Sequence, residues 1–326
     1  MSELDPHIAG LLAHIGSLGQ PDMGDLPVPV IRAVMAENCR MMEGPPPAEP
    51  LTVQPLSLAG AAGPLEGRLY RPAQGGNGLP GPFILFFHGG GFVAGGLDSH
   101  EMACRRLAAL SGLPVLAATY RLAPEHPMPA AHDDALSILA QIGREGVSWG
   151  LDPARLVIAG DSAGANLALA TALDAPADGC HIAGVLLFYP VLSFDHAFPS
   201  HTALGRDYLL TQRSMQTFTA LSLPDQTQRA DPRFSFLHRA SMRHCPPVML
   251  LTAGYDPLRD EGVALADRLL RDGVAVTHLP CPSLIHAFIH MTGVTPAVLP
   301  LLTQAAEWCR RTLLAADGAI RSPGAG

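Results

Sequence analysis

The stretch Gly160-Asp161-Ser162-Ala163-Gly164 places a serine between two glycines. The apolar residues 156–159 before it are typical of a buried strand, and the alanine- and leucine-rich residues 165–170 after it predict a helix. A serine at such a strand-to-helix turn needs small neighbours because the turn is sharp and its flanks pack closely. The stretch therefore predicts that Ser162 is a nucleophile raised above the end of a sheet, with Asp161 as a structural hydrogen-bond partner.

Three consecutive glycines follow another apolar segment, residues 83–87, in the run His88-Gly89-Gly90-Gly91-Phe92. Glycines at the carboxyl end of a strand leave their amide groups unshielded, so these can donate to an oxyanion where little water is present. We predict an oxyanion hole formed by the amides of Gly90, Gly91 and Ala163. The alternatives are a flexible loop or a phosphate cradle, but no following lysine or dinucleotide-type spacing supports phosphate.

Two polar residues late in the chain complete this chemistry. Asp256 follows the apolar residues 247–253, which predict a strand, and His286 follows the next predicted strand, residues 274–279. A serine hydroxyl is a poor nucleophile at neutral pH, so a histidine must accept its proton, and a carboxylate must hold that histidine in one tautomer. The order Ser162, Asp256, His286 is the one expected of an α/β-hydrolase.

Other residues compete for the same two roles. Asp260 or Glu261 could supply the carboxylate, but Asp256 lies just past the end of the predicted strand. His278 and His290 could supply the base, but His278 lies within a predicted strand and His290 in or beyond the next turn. The loop position therefore favours His286.

A further group, His132-Asp133-Asp134, could suggest a metal site. Without a His-Glu-x-x-His motif or a matching cluster elsewhere, it predicts a solvated helix face instead. We expect neither a metal ion nor a cofactor.

Composition narrows the functional classes. The 326 residues carry a net charge of −8 and no basic run, which argues against nucleic acid or an anionic membrane surface as a partner. No lysine is present, which excludes Schiff-base enzymes and the Walker A loop. The six cysteines form no Cys-x-x-Cys pair, and neither a signal peptide nor a membrane span is recognisable, so we expect a reduced, cytoplasmic protein.

The elements that must position these residues alternate between strand and helix, which predicts an α/β fold with a mostly parallel sheet, helices on both faces and a helical cap. Four segments result: an amino-terminal helical arm of the cap (1–50), a first core part (51–192), a cap insertion (193–243), and a second core part with a flexible tail from residue 315 (244–326). Predicted helices span residues 8–17, 28–42, 101–111, 130–143, 163–173, 211–221, 263–271 and 296–314. Predicted strands span residues 51–58, 65–70, 83–87, 113–119, 155–159, 182–189, 247–253 and 274–279.

Five motifs together resemble the hormone-sensitive-lipase-like family of bacterial carboxylesterases (bacterial family IV), in the branch with aspartate before the serine. They are His88-Gly89-Gly90-Gly91-Phe92, Tyr120-Arg121-Leu122-Ala123-Pro124-Glu125, Gly160-Asp161-Ser162-Ala163-Gly164-Ala165-Asn166, Asp256-Pro257-Leu258-Arg259-Asp260-Glu261 and His286-Ala287-Phe288. The resemblance covers residues 51–192 and 244–315.

The resemblance implies an α/β-hydrolase core, hydrolysis of short to medium acyl esters, and Gly90, Gly91 and Ala163 as oxyanion donors. Ser283 and Cys281 depart from it, since the family commonly has glycine and an aromatic residue there. A lipase, a lactonase or an amidase would use the same groups, and a non-catalytic ligand-binding protein is a further alternative. The resemblance also permits a homodimer.

Overall fold

One eight-stranded sheet runs through the part of the chain that this computed structural model describes, which is residues 3–73, 80–176, 179–195 and 198–320. The strands are β1 (Leu51–Gly60), β2 (Gly63–Pro72), β3 (Gly81–Phe87), β4 (Val115–Ala118), β5 (Leu151–Asp161), β6 (Ile182–Phe188), β7 (Val248–Tyr255) and β8 (Val276–Ile285). Their order across the sheet is β1-β2-β4-β3-β5-β6-β7-β8. β2 is antiparallel to both β1 and β4, and the other neighbouring strands are parallel.

The helices are α1 (Pro6–Ser17), α2 (Val28–Met42), α3 (Glu101–Ser111), α4 (Ala130–Glu145), α5 (Ala163–Asp174), α6 (Pro199–Ala203), α7 (Gln212–Ser222), α8 (Arg259–Arg271) and α9 (Val298–Ile320). The predicted alternation of strand and helix is confirmed. Most boundaries shift by one or two residues, and four shift further: β5 begins at Leu151, α8 begins at Arg259, β8 continues to Ile285, and α9 continues to Ile320. The tail predicted from residue 315 is therefore helical as far as residue 320, and its remainder, residues 321–326, lies outside the described residues.

The central strands are apolar on both faces because both faces are covered. On β3, Phe83, Leu85 and Phe87 point into the core layer that contains α4, α5 and α8. Ile84 and Phe86 point into the opposite layer, with α3 and α9. Two helical layers thus hold the sheet between them, and the ends of the parallel strands are left free to carry the loops.

The amino-terminal arm (residues 1–50) and the insertion (residues 193–243) contact each other through α7. Ser214 Oγ donates to Asp22 Oδ1 at 2.9 Å, and Thr217 Oγ1 donates to the carbonyl of Gly24 at 2.9 Å. A side chain at Gly24 would come within 2.8 Å of the Arg213 carbonyl oxygen, so the two segments approach closely. Segments about two hundred residues apart in the chain therefore pack as one layer.

Two further sequence expectations concern the whole chain. All six cysteines are free and buried, as expected of a reduced protein. Within the described residues, no helix is both long and apolar enough to cross a membrane.

Candidate active site

Ser162 lies at a sharp turn between the end of β5 and the first residue of α5. Its backbone has φ 54° and ψ −116°, a conformation that L-residues rarely adopt. A Cβ on Gly160 would overlap the carbonyl oxygen of Gly164, and one on Gly164 would overlap the carbonyl oxygen of Phe87. Both glycines are therefore required by the close approach of backbone segments, as the sequence predicted.

His286 and Asp256 reach the Ser162 side chain from the ends of two adjacent strands. His286 Nε2 is 3.1 Å from Ser162 Oγ, and His286 Nδ1 is 2.8 Å from Asp256 Oδ2. Asp256 is fully buried, and its other oxygen accepts from the Leu258 amide at 2.9 Å. A carboxylate can only accept, so Nδ1 of the neutral imidazole carries the proton and Nε2 is free to accept from the serine hydroxyl.

The competing residues contact other groups. Asp260 accepts from Arg259 and from the Ser200 amide. His278 lies 2.9 Å from the hydroxyl of Thr252. The structure brings Ser162, Asp256 and His286 together, and it places these alternatives elsewhere.

The glycine loop (residues 88–92) lies beside Ser162 and is held in a shape that needs glycine. Gly90 has φ 119° and Gly91 has φ 62°. A Cβ on Gly91 would come within 2.7 Å of the Phe218 ring, so the insertion packs directly on this loop. In the hydrogen bonds of the described residues, the amides of Gly90, Gly91 and Ala163 do not serve as donors. These three amides are available to an acceptor near Ser162.

The Gly89 amide, in contrast, already has partners in a buried polar cluster. It donates to Asp161 Oδ1 at 2.8 Å and to His100 Nε2 at 3.1 Å. His88 stacks on Tyr120 with ring centroids 4.3 Å apart, and burial lowers the pKa of His88 to about 3. Asp161 is thus a structural hydrogen-bond partner, as predicted.

Opposing effects act on the pKa values of Asp161 and His290 in this cluster. Burial by itself would raise the pKa of Asp161, but His100, His290 and the Gly89 amide outweigh it and lower that pKa. Burial by itself would also lower the pKa of His290, but its interactions with Cys39 and Glu43 raise that pKa to about 9. The sequence reasoning missed His100, Cys39 and Glu43, because no local motif marks them.

One group of side chains has the spacing of a metal site. The ligand atoms of His100, Asp161 and His290 lie within 4.8 Å of one another. The Gly89 amide donates its hydrogen to both Asp161 Oδ1 and His100 Nε2. Two of the three ligand atoms are therefore already engaged by a backbone donor. The arrangement fits hydrogen bonds rather than a metal ion.

The expectation that residues 132–134 form a solvated helix face is wrong. His132 and Asp134 are buried, and only the middle residue, Asp133, is exposed. His132 Nε2 lies 3.0 Å from Asn166 Oδ1, and Asp134 Oδ2 accepts from Arg121 Nε at 2.8 Å. This part of α4 packs against α5 and the Arg121 loop, which supply the partners of His132 Nε2 and Asp134.

A cavity of about 130 Å³ opens on Ser162 and His286. Its wall is mostly apolar and includes Met35 from α2 and Met215 and Phe218 from α7. An apolar wall with few polar groups suits a small, largely hydrocarbon ligand that is oriented at one end.

Comparisons with known proteins identify the family. Residues 84–290 match the family model described as alpha/beta hydrolase fold. An ethyl acetate hydrolase of Pseudomonas putida is 38% identical over 249 residues, which cover 76% of this chain and 78% of that protein. The carboxylic ester hydrolase LipN of Mycobacterium tuberculosis is 36% identical over 297 residues, which cover 88% of this chain and 77% of that protein. This chain therefore belongs to the α/β-hydrolase family, in its hormone-sensitive-lipase-like group.

Solved structures agree over nearly the whole chain. The ester-hydrolase EH1AB1 from the metagenome of Lake Arreo, complexed with a bipyridine phosphonate derivative, superposes with a TM-score of 0.88 at 35% identity, covering 94% of this chain and 98% of that one. The hyperthermophilic esterase of the archaeon Pyrobaculum calidifontis superposes with a TM-score of 0.86 at 30% identity. The superposition covers 97% of this chain and 100% of that one.

Proposed function

We propose that this protein is a serine carboxylesterase that hydrolyses short- to medium-chain acyl esters through an acyl-enzyme on Ser162. The observation that carries the proposal is the hydrogen-bonded series from Asp256 through His286 to Ser162, which opens into an apolar cavity. The names of the relatives, an ethyl acetate hydrolase and a carboxylic ester hydrolase, support the same reaction.

The first half-reaction transfers the acyl group to the enzyme. Ser162 Oγ attacks the ester carbonyl while His286 Nε2 takes the hydroxyl proton, and Asp256 stabilises the imidazolium that forms. The carbonyl oxygen becomes an oxyanion that accepts from the amides of Gly90, Gly91 and Ala163. Ala163 begins α5, so its amide lies at the positive end of the helix dipole. The C–O bond then breaks, and His286 returns the proton to the departing alcohol.

The second half-reaction restores the serine. Water attacks the acyl carbonyl while His286 Nε2 takes a proton from it, and the same three amides hold the second oxyanion. The bond to Ser162 Oγ breaks, the serine regains its proton from His286, and the carboxylic acid leaves. Every proton transfer in this scheme passes through one imidazole, which Asp256 holds at 2.8 Å.

The substrate range follows from the cavity and its cover. A volume of about 130 Å³ lies below the roughly 300–1,000 Å³ of pockets for drug-sized ligands, which favours short chains over those of a long-chain lipase. The arm and the insertion act together as a cap in this proposal, because α2 and α7 both line the cavity. The free cysteines support a reducing compartment such as the cytoplasm. Homodimerisation stays a prediction, which the molecular mass in solution tests.

Replacement of the nucleophile tests the reaction. Ser162→Ala should lower kcat on a short acyl ester by about 10⁴-fold or more, because no other group takes the acyl chain. The matched control is Ser222→Ala, since Ser222 lines the same cavity but its hydroxyl donates to the Phe218 carbonyl at 2.7 Å. This control should keep turnover within a few-fold of the parent.

An organophosphonate should add its mass to the parent and to Ser222→Ala, but not to Ser162→Ala. If Ser162→Ala hydrolysed esters as fast as the parent protein, the proposal would be wrong. A series of acyl esters of increasing length, measured on the parent, gives the chain preference.

A further inference from the structure

A buried polar cluster lies beside the glycine loop and borders the same cavity as Ser162. It contains Asp161, His100 and His290, all nearly inaccessible to solvent. Asp161 Oδ1 and His100 Nε2 are 3.1 Å apart, and the Gly89 amide lies within hydrogen-bonding distance of both, 2.8 Å from Oδ1 and 3.1 Å from Nε2. The direction of the Gly89 amide is therefore set by two side chains. Because the peptide units of Gly90 and Gly91 follow directly, their orientation depends on the same two contacts.

His290 connects this cluster to the amino-terminal arm. Its Nδ1 lies 3.5 Å from Glu43 Oε1, which follows the end of α2. Its ring meets that of His100 edge-on, with centroids 4.7 Å apart at an angle of 81°. His290 and His286 belong to the same short segment after β8, yet they face different partners. The His290 imidazole therefore contacts Glu43 of the arm on one side and His100, which lies beside the Gly89 amide, on the other.

We propose that protonated His290 is a positioning residue that ties the arm to the glycine loop, holding Glu43 on one side and the Asp161–His100 pair on the other. The inference rests on the proposed esterase function, because it concerns the amides that receive the oxyanion. Among the described residues, the His290 imidazole forms no hydrogen bond with Ser162 or His286, although it borders the same cavity. It acts through Asp161 and the Gly89 amide.

The groups around His290 favour its charged form. Glu43 and Cys39 face it from the arm, and Asp161 and His100 face it from the core. Arg106 on α3 lies further out, where its guanidinium interacts with Glu43. Glu43, Cys39 and Asp161 favour the charged imidazole, whereas burial and His100 oppose it, and the balance raises the pKa of His290 to about 9. The charge is therefore present at neutral pH and is lost as the pH rises through about 9.

The consequence is a specific kinetic signature. An amide that shifts out of position stabilises the transition state less but barely affects the bound ester, so kcat falls while KM stays nearly constant. His290→Gln should lower kcat about tenfold at pH 7, a fraction of the roughly 10²–10³-fold effect of deleting one oxyanion donor. The parent should lose kcat above pH 9, and His290→Gln should lack that alkaline decline.

The matched control is His181→Gln, the same substitution at an exposed histidine that precedes the amino-terminal end of β6. It should keep both kcat and the alkaline decline of the parent. Unchanged kcat and an unchanged pH profile in His290→Gln would overturn the proposal. Absence of ester hydrolysis by the parent would instead overturn the proposed function, so the two failures are distinguishable.

A second variant and a direct measurement cover the case in which His290→Gln does not fold. Glu43→Gln removes one of the carboxylates that favour the imidazolium, so the alkaline decline in kcat should move to lower pH. NMR titration of the ring of His290 in the parent, assigned by comparison with Glu43→Gln, should show protonation persisting above pH 8. A ring that is neutral at pH 7, or a decline that does not move in Glu43→Gln, would contradict the role of His290.

Discussion

Gly164 carries a steric requirement that is stricter than its place in a helix suggests. It is the second residue of α5, and a Cβ there would overlap the backbone carbonyl oxygens of Phe87 and His88. Backbone atoms at the end of β3 cannot rotate aside as a side chain can. We expect Gly164→Ala to lower the free energy of unfolding by at least about 3 kcal/mol, at the upper end of the range for overpacking.

The same substitution in α4 provides the comparison. Gly143 is exposed, and the nearest atom to a Cβ there is Cys180 Sγ at 3.8 Å. Gly143→Ala should therefore raise the free energy of unfolding by about 0.5–1 kcal/mol, because alanine loses less backbone freedom in a helix. Denaturant unfolding of the two variants measures both effects. If both substitutions changed the free energy of unfolding equally, the overlap with the Phe87 carbonyl would not be the cause of the loss at Gly164.

Residue types and spacing predicted which side chains meet at Ser162, but not the burial of other polar residues. Ser162, Asp256 and His286 lie at strand ends, where a hydroxyl, a carboxylate and an imidazole have few structural roles. The sequence pattern predicted that His132 and Asp134 are solvated. Their partners, Asn166 and Arg121, come from other parts of the chain. A polar side chain is buried when such a partner exists, and a single sequence does not display that pairing.

At the scale of elements, apolar segments predicted every strand, but they did not predict the residues at which each strand begins and ends. β8 continues through Pro280 and Pro282 to Ile285, so His286 follows it directly. Prolines are expected at edge strands, and β8 is the edge of the sheet. The prediction ended this strand at residue 279 because the prolines interrupt the apolar pattern. Pairing with β7 extends it, since Tyr255 still faces Ile285.

The helix α7 forms part of the cavity wall, and Met215 is the side chain to change. It is nearly buried and lines the cavity. Met215→Ala should enlarge the space beside Ser162, so the ratio of kcat/KM for an eight-carbon over a four-carbon acyl ester should rise by about tenfold, a modest effect for several methylenes in an apolar pocket. Measurement of kcat/KM across acyl chain lengths tests this.

Met242→Ala controls for the loss of stability that such a truncation causes. Met242 is equally buried but lies in the core layer of α4, α5 and α8, away from the cavity. It should lower the free energy of unfolding by about 2–5 kcal/mol and leave the chain-length preference unchanged. If Met242→Ala shifted the preference as much as Met215→Ala, cavity size would not be the cause.

At the scale of the whole molecule, the arm is joined to the insertion, and to the core at His290, by contacts that local sequence patterns do not reveal. Glu43 and His290 are 247 positions apart, and Asp22 and Ser214 are 192 apart. The sequence predicted helices in both segments and assigned them jointly to a cap, but it did not predict these residue pairs. Their pairing depends on how the folded sheet brings the segments together.

The buried histidines predict how the stability of the whole protein varies with pH. His88 and His132 are buried, and burial lowers their pKa values to about 3 and about 4. Their ordinary value is about 6.5, so below that pH the unfolded chain binds two protons that the folded protein does not. Their contribution to stability is present above pH 6.5 and is lost as the pH falls, by about 1.4 kcal/mol per proton per pH unit.

Between pH 6.5 and 5 these two histidines should therefore lower the free energy of unfolding by about 3–4 kcal/mol, before carboxylates of the unfolded chain take up many protons. His132→Gln can still donate to Asn166 but does not titrate, so its slope below pH 6.5 should be smaller than that of the parent by about 1.4 kcal/mol per pH unit. Above pH 6.5 the two slopes should coincide, which provides the internal control. Denaturant unfolding at intervals of pH measures both slopes, and parallel curves at all pH values would show that His132 is charged in the folded protein.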